Sequence, residues 1–489
     1  MRKVEIDATD RLDDHAAVAH LAPAVAQLQA EVVRLRPRMK GRTVWMVNST
    51  ERGGGVAEML PAMVTMMRDL GVPTEWVVLE SGESEFFTLT KRLHNLIHGE
   101  GDPRLDAADR ELYEAVNRRN ADALLPWLRP GDIVVVHDPQ PMALGSYVRE
   151  NVDVLAFWRC HIGLDEENAA TRAAWSFLEP YATAYTHTVF SAPEYIPRYL
   201  ATHATVIYPA IDPLAPKNRP LRLRRVVEVL SNSELAVVPG PVVTPPFERV
   251  AQRLQPNGTF APATHPEDIG LLSRPVLVQI SRWDRLKGFL PLMRAFAAFK
   301  RRHGANAAAA TDPLYARRLR LARLVLAGPD PGSIQDDPEA QEVLRELTAD
   351  YAALDGAVKD DIALITLPME SPDENAVMVN VLQRCAAIVV QNSVREGFGL
   401  TVTEGMWKGA PVLSNRKACG PRHQVRDGLD GRLVDDPEDV DAVADMMAAM
   451  LAIPGLLQEW GDNAQRRAHD EFMIYKQLSS WGRLVSTFL

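Results

Sequence analysis

Apolar positions recur along this 489-residue chain with two different periods, and the alternation between them is its main structural signal. Between residues 11 and 37, Val18, Leu21, Val25, Leu28 and Val32 fall at helical spacing, which predicts an amphipathic helix. After K-G-R comes T-V-W-M-V-N-S (43–49), a short apolar run of strand type, and then a triple glycine at 53–55. Apolar residues at 56, 59, 60, 63, 66, 67 and 70 mark one helix face, and Pro61 within it is expected to bend or loosen that helix. Strand-like runs continue with T-E-W-V-V-L-E (74–80), D-I-V-V-V-H-D (132–138) and V-L-A-F-W-R-C-H (154–161).

A second alternating series begins at P-V-L-V-Q-I-S (275–281) and runs through L-A-R-L-V-L-A-G-P (321–329) and D-I-A-L-I-T-L (361–367). It ends with A-A-I-V-V-Q-N-S (386–393) and P-V-L-S (411–414). Strands alternating with helices imply an α/β chain with largely parallel sheets. The stretch 216–270 between the two series is rich in proline and poor in periodicity, and reads as a linker or insertion. The expected organisation is a Rossmann-like domain over 1–215, the linker, a second Rossmann-like domain over 271–455, and a helical segment over 456–489 packing back on the first domain. Two such units joined by a hinge would bind ligands in a cleft at the carboxyl ends of their strands.

Composition narrows the classes. With 46% hydrophobic residues and no apolar run of membrane length, the chain reads as soluble. Acids in M-R-K-V-E-I-D-A-T-D-R occupy the place where a signal peptide needs an apolar core, so a cytoplasmic protein is expected. A net charge of −10 leaves no domain-scale basic excess for nucleic acid. Cys160, Cys385 and Cys419 lie far apart without metal-ligand spacing, and fit reduced thiols.

The densest chemistry lies in R-E-G-F-G-L-T-V-T-E-G-M-W-K-G-A-P (395–411). A strand ending near Ser393 feeds a turn in which Gly397 and Gly399 expose main-chain N–H groups. A helix start near Leu400 would favour an anion such as a pyrophosphate. Glu396 in the loop and Glu404 one turn into the helix then reach different parts of one elongated ligand. Carboxylates accept hydrogen bonds from paired hydroxyls, and a sugar nucleotide carries such hydroxyls on both ribose and hexose. Each glutamate alone reads more readily as a surface acid or as a helix acid near a positive helix end, and only the whole string is specific.

The whole string resembles the E-x7-E element of retaining GT-B glycosyltransferases, most closely the trehalose glycosyltransferring synthases. N-S-T-E-R-G-G-G-V-A-E (48–58), E-F-F-T-L-T-K-R-L-H-N (85–95), V-H-D-P-Q-P (136–141), W-R-C-H-I (158–162), Y-P-A-I-D-P-L (208–214) and S-R-W-D-R-L-K-G (281–288) extend the likeness over most of the chain. The resemblance implies an α/β fold of GT-B type, two Rossmann-like domains facing each other across a cleft. It implies transfer of glucose from a nucleotide-glucose (ADP- or UDP-glucose) to glucose, with no cofactor and no catalytic metal. Arg282 and Lys287 match the basic pair on the donor diphosphate, Glu404 the ribose-binding residue, and Glu396 the residue whose loop holds the donor hexose. Gly397, Phe398, Gly399, Leu400 and Thr401 complete that donor loop.

His161 matches the histidine that faces the donor sugar, and Asp138 a position that contacts sugar hydroxyls, with Gln140 assisting. A purely structural turn role for Asp138 before a proline is the lesser alternative. Gly54 and Gly55 would let the backbone approach the donor phosphate or the acceptor, or simply connect strand to helix. Cys419 in A-C-G-P-R-H-Q stands where the family carries the first of two glycines, and Arg422, His423 and Gln424 are expected on the same wall. A homodimer is the expectation carried by family likeness alone.

Rival readings are a GT-B transferase with another sugar or osmolyte acceptor, a sugar-nucleotide epimerase or hydrolase, and a non-enzymatic sensor. A nicotinamide dehydrogenase is disfavoured, because Glu58 stands where the third glycine of G-x-G-x-x-G belongs.

Overall fold

The alternating apolar runs become strands buried on both faces, which is what parallel strands flanked by helices require. The computed structural model describes residues 1–6, 10–51, 55–238, 244–245, 247–263, 269–304, 312–333 and 338–489. The chain divides into two units, Met1–Asp212 with Phe472–Leu489, and Pro213–Glu471.

In the first unit the strands are β1 (Arg2–Lys3), β2 (Val44–Asn48), β3 (Thr74–Val78), β4 (Ile133–His137), β5 (Leu155–Cys160), β6 (His187–Phe190) and β7 (Ala204–Val206). Their spatial order is β1-β3-β2-β4-β5-β6-β7, with only the β1 edge antiparallel. In the second unit they are β8 (Gln252–Leu254), β9 (Phe260–Pro262), β10 (Val276–Ile280), β11 (Arg323–Pro329), β12 (Ile362–Leu367), β13 (Ile388–Val390), β14 (Val412–Asn415) and β15 (Gly431–Val434). That sheet runs β15-β14-β13-β10-β11-β12-β8-β9, parallel from β15 to β12. The chain order therefore reverses between β10 and β13, and the loops leaving these two strands frame a crevice at their carboxyl ends.

Alternation along the strands builds two cores in the second unit. Leu277, Leu324, Leu326 and Leu364 pack with Phe289 and Phe296 on one face, while Val276, Val278, Val325 and Ile365 pack with Met378 and Leu382 on the other. Truncating a side chain such as the fully buried Phe296 to alanine would cost about 3–5 kcal/mol. Among the described residues no single helix is long and apolar enough to cross a membrane.

Three expectations are corrected. The amino-terminal helix is two helices, Leu12–Ala16 and Ala22–Met39. Pro23 lies in the first turn of the second, where its missing N–H costs nothing and where it cannot continue a preceding helix. The 216–270 stretch is not a mere linker. Its helix Leu223–Asn232 buries Val226, Val229 and Leu230 in the second core, and β8 and β9 extend the second sheet. Finally, only Phe472–Leu489 of the carboxyl-terminal segment joins the first unit; helix Pro454–Glu471 belongs to the second. Ile211 pairs with Met473, and Phe157 packs on Trp481 and Phe488, which explains that return. Helix Gly55–Asp69 continues through Pro61.

Candidate active site

In the second unit, the loop after β10 is bent by two devices. Trp283 is fully buried and its Nε1 donates to Pro329 O at 2.7 Å, close against Gly328, where a Cβ would lie 2.6 Å from the indole. Asp284 caps the short turn Arg285–Lys287 by accepting from Leu286 N at 2.8 Å. Gly288 ends the turn at φ +64° and passes the backbone of Asn392 so closely that a Cβ would lie 2.1 Å from its carbonyl oxygen. This bend aims Lys287 at Glu396, 2.8 Å from Nζ to Oε2. Arg285 turns the other way, to Glu346 and Glu342. Arg282 is exposed and makes no side-chain hydrogen bond or ion pair among the described residues.

From the other side of the crevice, β13 delivers Gln391, Asn392 and Ser393, all buried. Ser393 Oγ and Gln391 Nε2 join Lys287 on the same Glu396 oxygen, at 3.1 and 3.3 Å. Three donors on one oxygen fix the position of the Glu396 carboxylate. Thr401 donates to Gln391 Oε1 at 2.8 Å, and Gly399, at φ +79°, opens the helix Leu400–Trp407. Phe398 is buried, its carbonyl accepts from Gln424 Nε2, and its backbone crowds Gly420, where a Cβ would lie 2.3 Å away. The glycine this close approach requires is thus Gly420. Cys419 beside it is buried at the start of helix Cys419–Gln424.

Glu404 is also buried. Gln383 Nε2 donates to its Oε2 at 3.4 Å, and Lys217 Nζ lies 3.8 Å from its Oε1. Lys408 donates to Gln383 Oε1 at 2.6 Å, and burial pushes its ammonium down to about 7 against the opposing pull of Glu404. Of the donor-side residues expected from the sequence, Lys287 is bonded to Glu396, and Glu404 lies in the helix that follows the Glu396 loop.

In the first unit, the chain leaves β4 through Asp138, a non-glycine residue at φ +62°. Such a conformation needs support. Three buried donors take the loop carbonyls: Trp158 Nε1 to Asp138 O at 2.9 Å, Tyr113 Oη to Pro139 O at 2.6 Å, and Asn117 Nδ2 to Gln140 O at 3.2 Å. Asp138 Oδ1 then accepts from His161 N at 2.9 Å. Burial raises the Asp138 carboxyl to about 6, although the His161 N–H and Arg159 pull it down.

His161 Nε2 lies 3.2 Å from His137 Nδ1, the two rings stacked at 12°. Burial, then the Arg159 charge, push both imidazoles down, His137 to about 3. Both rings are therefore neutral near pH 7, with one proton shared between the facing nitrogens. Arg159 pairs in register with His137, is 1% exposed, and has no hydrogen bond on any guanidinium nitrogen among the described residues. Gly55 begins a helix, and Gly54 lies outside the described residues.

Sequence reasoning did not single out His137, Arg159, Gln391, Ser393, Lys217, Gln383 or Lys408. The signal for the first four was their place at strand ends, where α/β sheets present ligand groups.

Known proteins resemble this chain over most of its length. Residues 46–197 match the family described as trehalose synthase, N-terminal domain, and residues 369–467 match glycosyl transferases group 1. Trehalose synthase of Pyrococcus horikoshii is 31% identical over 91% of this chain and 89% of its own. That of Rubrobacter xylanophilus is 31% identical over 95% and 94%. The crystal structure of α,α-trehalose 6-phosphate synthase from Burkholderia multivorans superposes with a TM-score of 0.63 at 17% identity, over 91% of this chain and 98% of that one. Likeness at that identity establishes the fold, GT-B. Two family matches and near-full-length identity above 30% go further: this chain belongs to the trehalose synthase family of glycosyltransferases.

Proposed function

We propose that the protein transfers glucose from a nucleotide-glucose to free glucose, with retention of anomeric configuration, and so makes trehalose. The observation that carries this reading is the Lys287–Glu396 pair, held at the strand-order reversal of the second sheet beside a glycine-opened helix start. Ligand anions are favoured there by the cation and by unsatisfied helix N–H groups together. Lys287 and Arg282 would meet the charge that develops on the departing diphosphate, in place of a metal ion. Glu396 would orient the hexose and Glu404 the ribose.

Asp138 and neutral His161 would bind sugar hydroxyls. A neutral imidazole suits a site where the anomeric carbon becomes positive, because an imidazolium there would oppose the charge. In a front-face displacement the departing phosphate oxygen accepts the proton of the incoming hydroxyl, so no glycosidase-type acid and nucleophile pair is needed. The test is incubation with ADP-glucose and UDP-glucose against a panel of free and phosphorylated sugars, followed by product identification. Trehalose from glucose supports the proposal; transfer only to a phosphorylated sugar, or hydrolysis alone, overturns it.

A further inference from the structure

The segment just after the chain enters the second unit is gripped on both sides of one lysine. Pro216 O accepts from Asn380 Nδ2 at 2.9 Å, and Arg219 O accepts from Asn380 Nδ2 and an Arg384 nitrogen, each at 3.0 Å. Asn218 is clasped by the last residue of the helix that carries Glu404 and by the residue that caps it: Trp407 Nε1 donates to its carbonyl at 3.1 Å, and Lys408 Nζ to its side-chain oxygen at 3.3 Å. Asn218 N and Arg219 N both donate to Ala215 O, at 2.7 and 2.9 Å, which closes a turn around residue 217. With its neighbours' carbonyls engaged, Lys217 has its backbone direction set, and its ammonium arrives 3.8 Å from Glu404 Oε1.

That distance is an ion pair but exceeds hydrogen-bond reach, so a hydroxyl can donate to the same carboxylate oxygen without displacing the lysine. The side chains are 27% and 6% exposed, so the pair is partly solvated at the lysine end and desolvated at the carboxylate end. A buried carboxylate with no cation nearby would be costly.

We infer that Lys217 is a donor-binding residue, a third cation that holds Glu404 ready for the ribose diol of a nucleoside diphosphate and faces the anionic chain attached to that ribose. This rests on the donor-site reading above, and takes Lys217, Asn218, Trp407 and Lys408 as one device. Trp407 and Lys408 fix Asn218, Asn218 fixes Lys217, and Lys217 and Gln383 fix the two oxygens of Glu404. Lys217 touches the ligand; Asn218 is a positioning residue.

The test is calorimetric titration of the full chain with ADP and UDP, and with their 2′-deoxy counterparts, for the wild type, E404Q, K217M, K217Q and N218A, each checked for folding by thermal melting. K217M and K217Q are expected to weaken nucleoside diphosphate binding by about tenfold, the scale of one charge-assisted contact. N218A should weaken it in the same direction but less. The penalty for K217M should shrink with the 2′-deoxy ligands, because Lys217 acts through the carboxylate that binds the diol. If the wild type binds neither ADP nor UDP, the donor-site reading falls and this inference with it. If the wild type binds and E404Q is weakened while both Lys217 variants bind normally, the donor site stands and Lys217 has no part in it. Full additivity of K217M with 2′-deoxy substitution would equally sever Lys217 from Glu404.

Discussion

The two units share an architecture and use it for opposite electrostatics. In the first, the ends of β4 and β5 and the loops after them carry two neutral imidazoles and a carboxyl raised to about 6, around a buried arginine. In the second, the loops after β10 and β13 carry charges that are kept and paired, Lys287 on Glu396 with Ser393 and Gln391 in support. Neutral imidazoles beside a carboxylate acceptor suit hydroxyls, and a cation at a helix start suits phosphate. Both sheets reverse their chain order, the second between β10 and β13 and the first between β2 and β4. The same strand-end rule therefore places glycine-rich and acidic loops in the second unit where it places Asp138 and His161 in the first.

Breaking the charged side should have the largest effect. Lys287→Ala should lower kcat by about 10²–10³, the cost of removing one fixed group that meets charge in a transition state, with the melting curve preserved. Steady-state kinetics beside a thermal melt check this, and normal turnover refutes the role. In the first unit, Asp138→Asn should lower kcat/KM for the sugars by roughly 10–100-fold, since one charge-assisted acceptor is replaced by an amide. The same variant sharpens the comparison through pH. Asp138 titrates near 6 when folded against 3.8 when not, so its protonated form favours the fold. That contribution is complete below about pH 4 and is lost as pH rises through 6. Asp138→Asn should therefore be more stable than the wild type at pH 7–8, and the advantage should vanish toward pH 4. Wild-type KM for the sugars should rise as pH falls below 6, a limb absent from the variant. Unfolding midpoints and KM measured across pH 4–8 decide both points.

A smaller effect is expected from Glu404→Gln, which should raise KM for the donor about tenfold and leave acceptor choice alone. Unchanged donor affinity counts against the ribose role. The smallest effect is none at all: chelation with EDTA should leave the rate unchanged if Lys287 and Arg282 do the work proposed for them, and loss of activity would require a metal.

Much of this was legible in the sequence, and the exceptions have physical reasons. Runs such as V-W-M-V-N and I-V-V-V-H became strands because parallel strands buried on both faces read as continuous apolar stretches. The helix start at Leu400 followed from the glycines before it. Short edge strands did not show, since β1 has two residues and β8 and β9 three each, too few for periodicity. The bond between Lys287 and Glu396 spans 109 residues, and only resemblance joined them beforehand. His137 and Arg159 face each other through strand register, which no local pattern encodes. Lys217 and Asn218 were hidden in a stretch whose prolines suggested a linker, although their contacts reach helices more than 160 residues away.

Retaining transfer is best tested by following the anomeric signals by NMR while the protein acts on a nucleotide-α-glucose and carbon-labelled glucose. The account predicts a labelled disaccharide whose two anomeric protons both carry the small α coupling. Nucleotide-glucose consumed with the labelled glucose untouched, or a product with one β linkage, would contradict it.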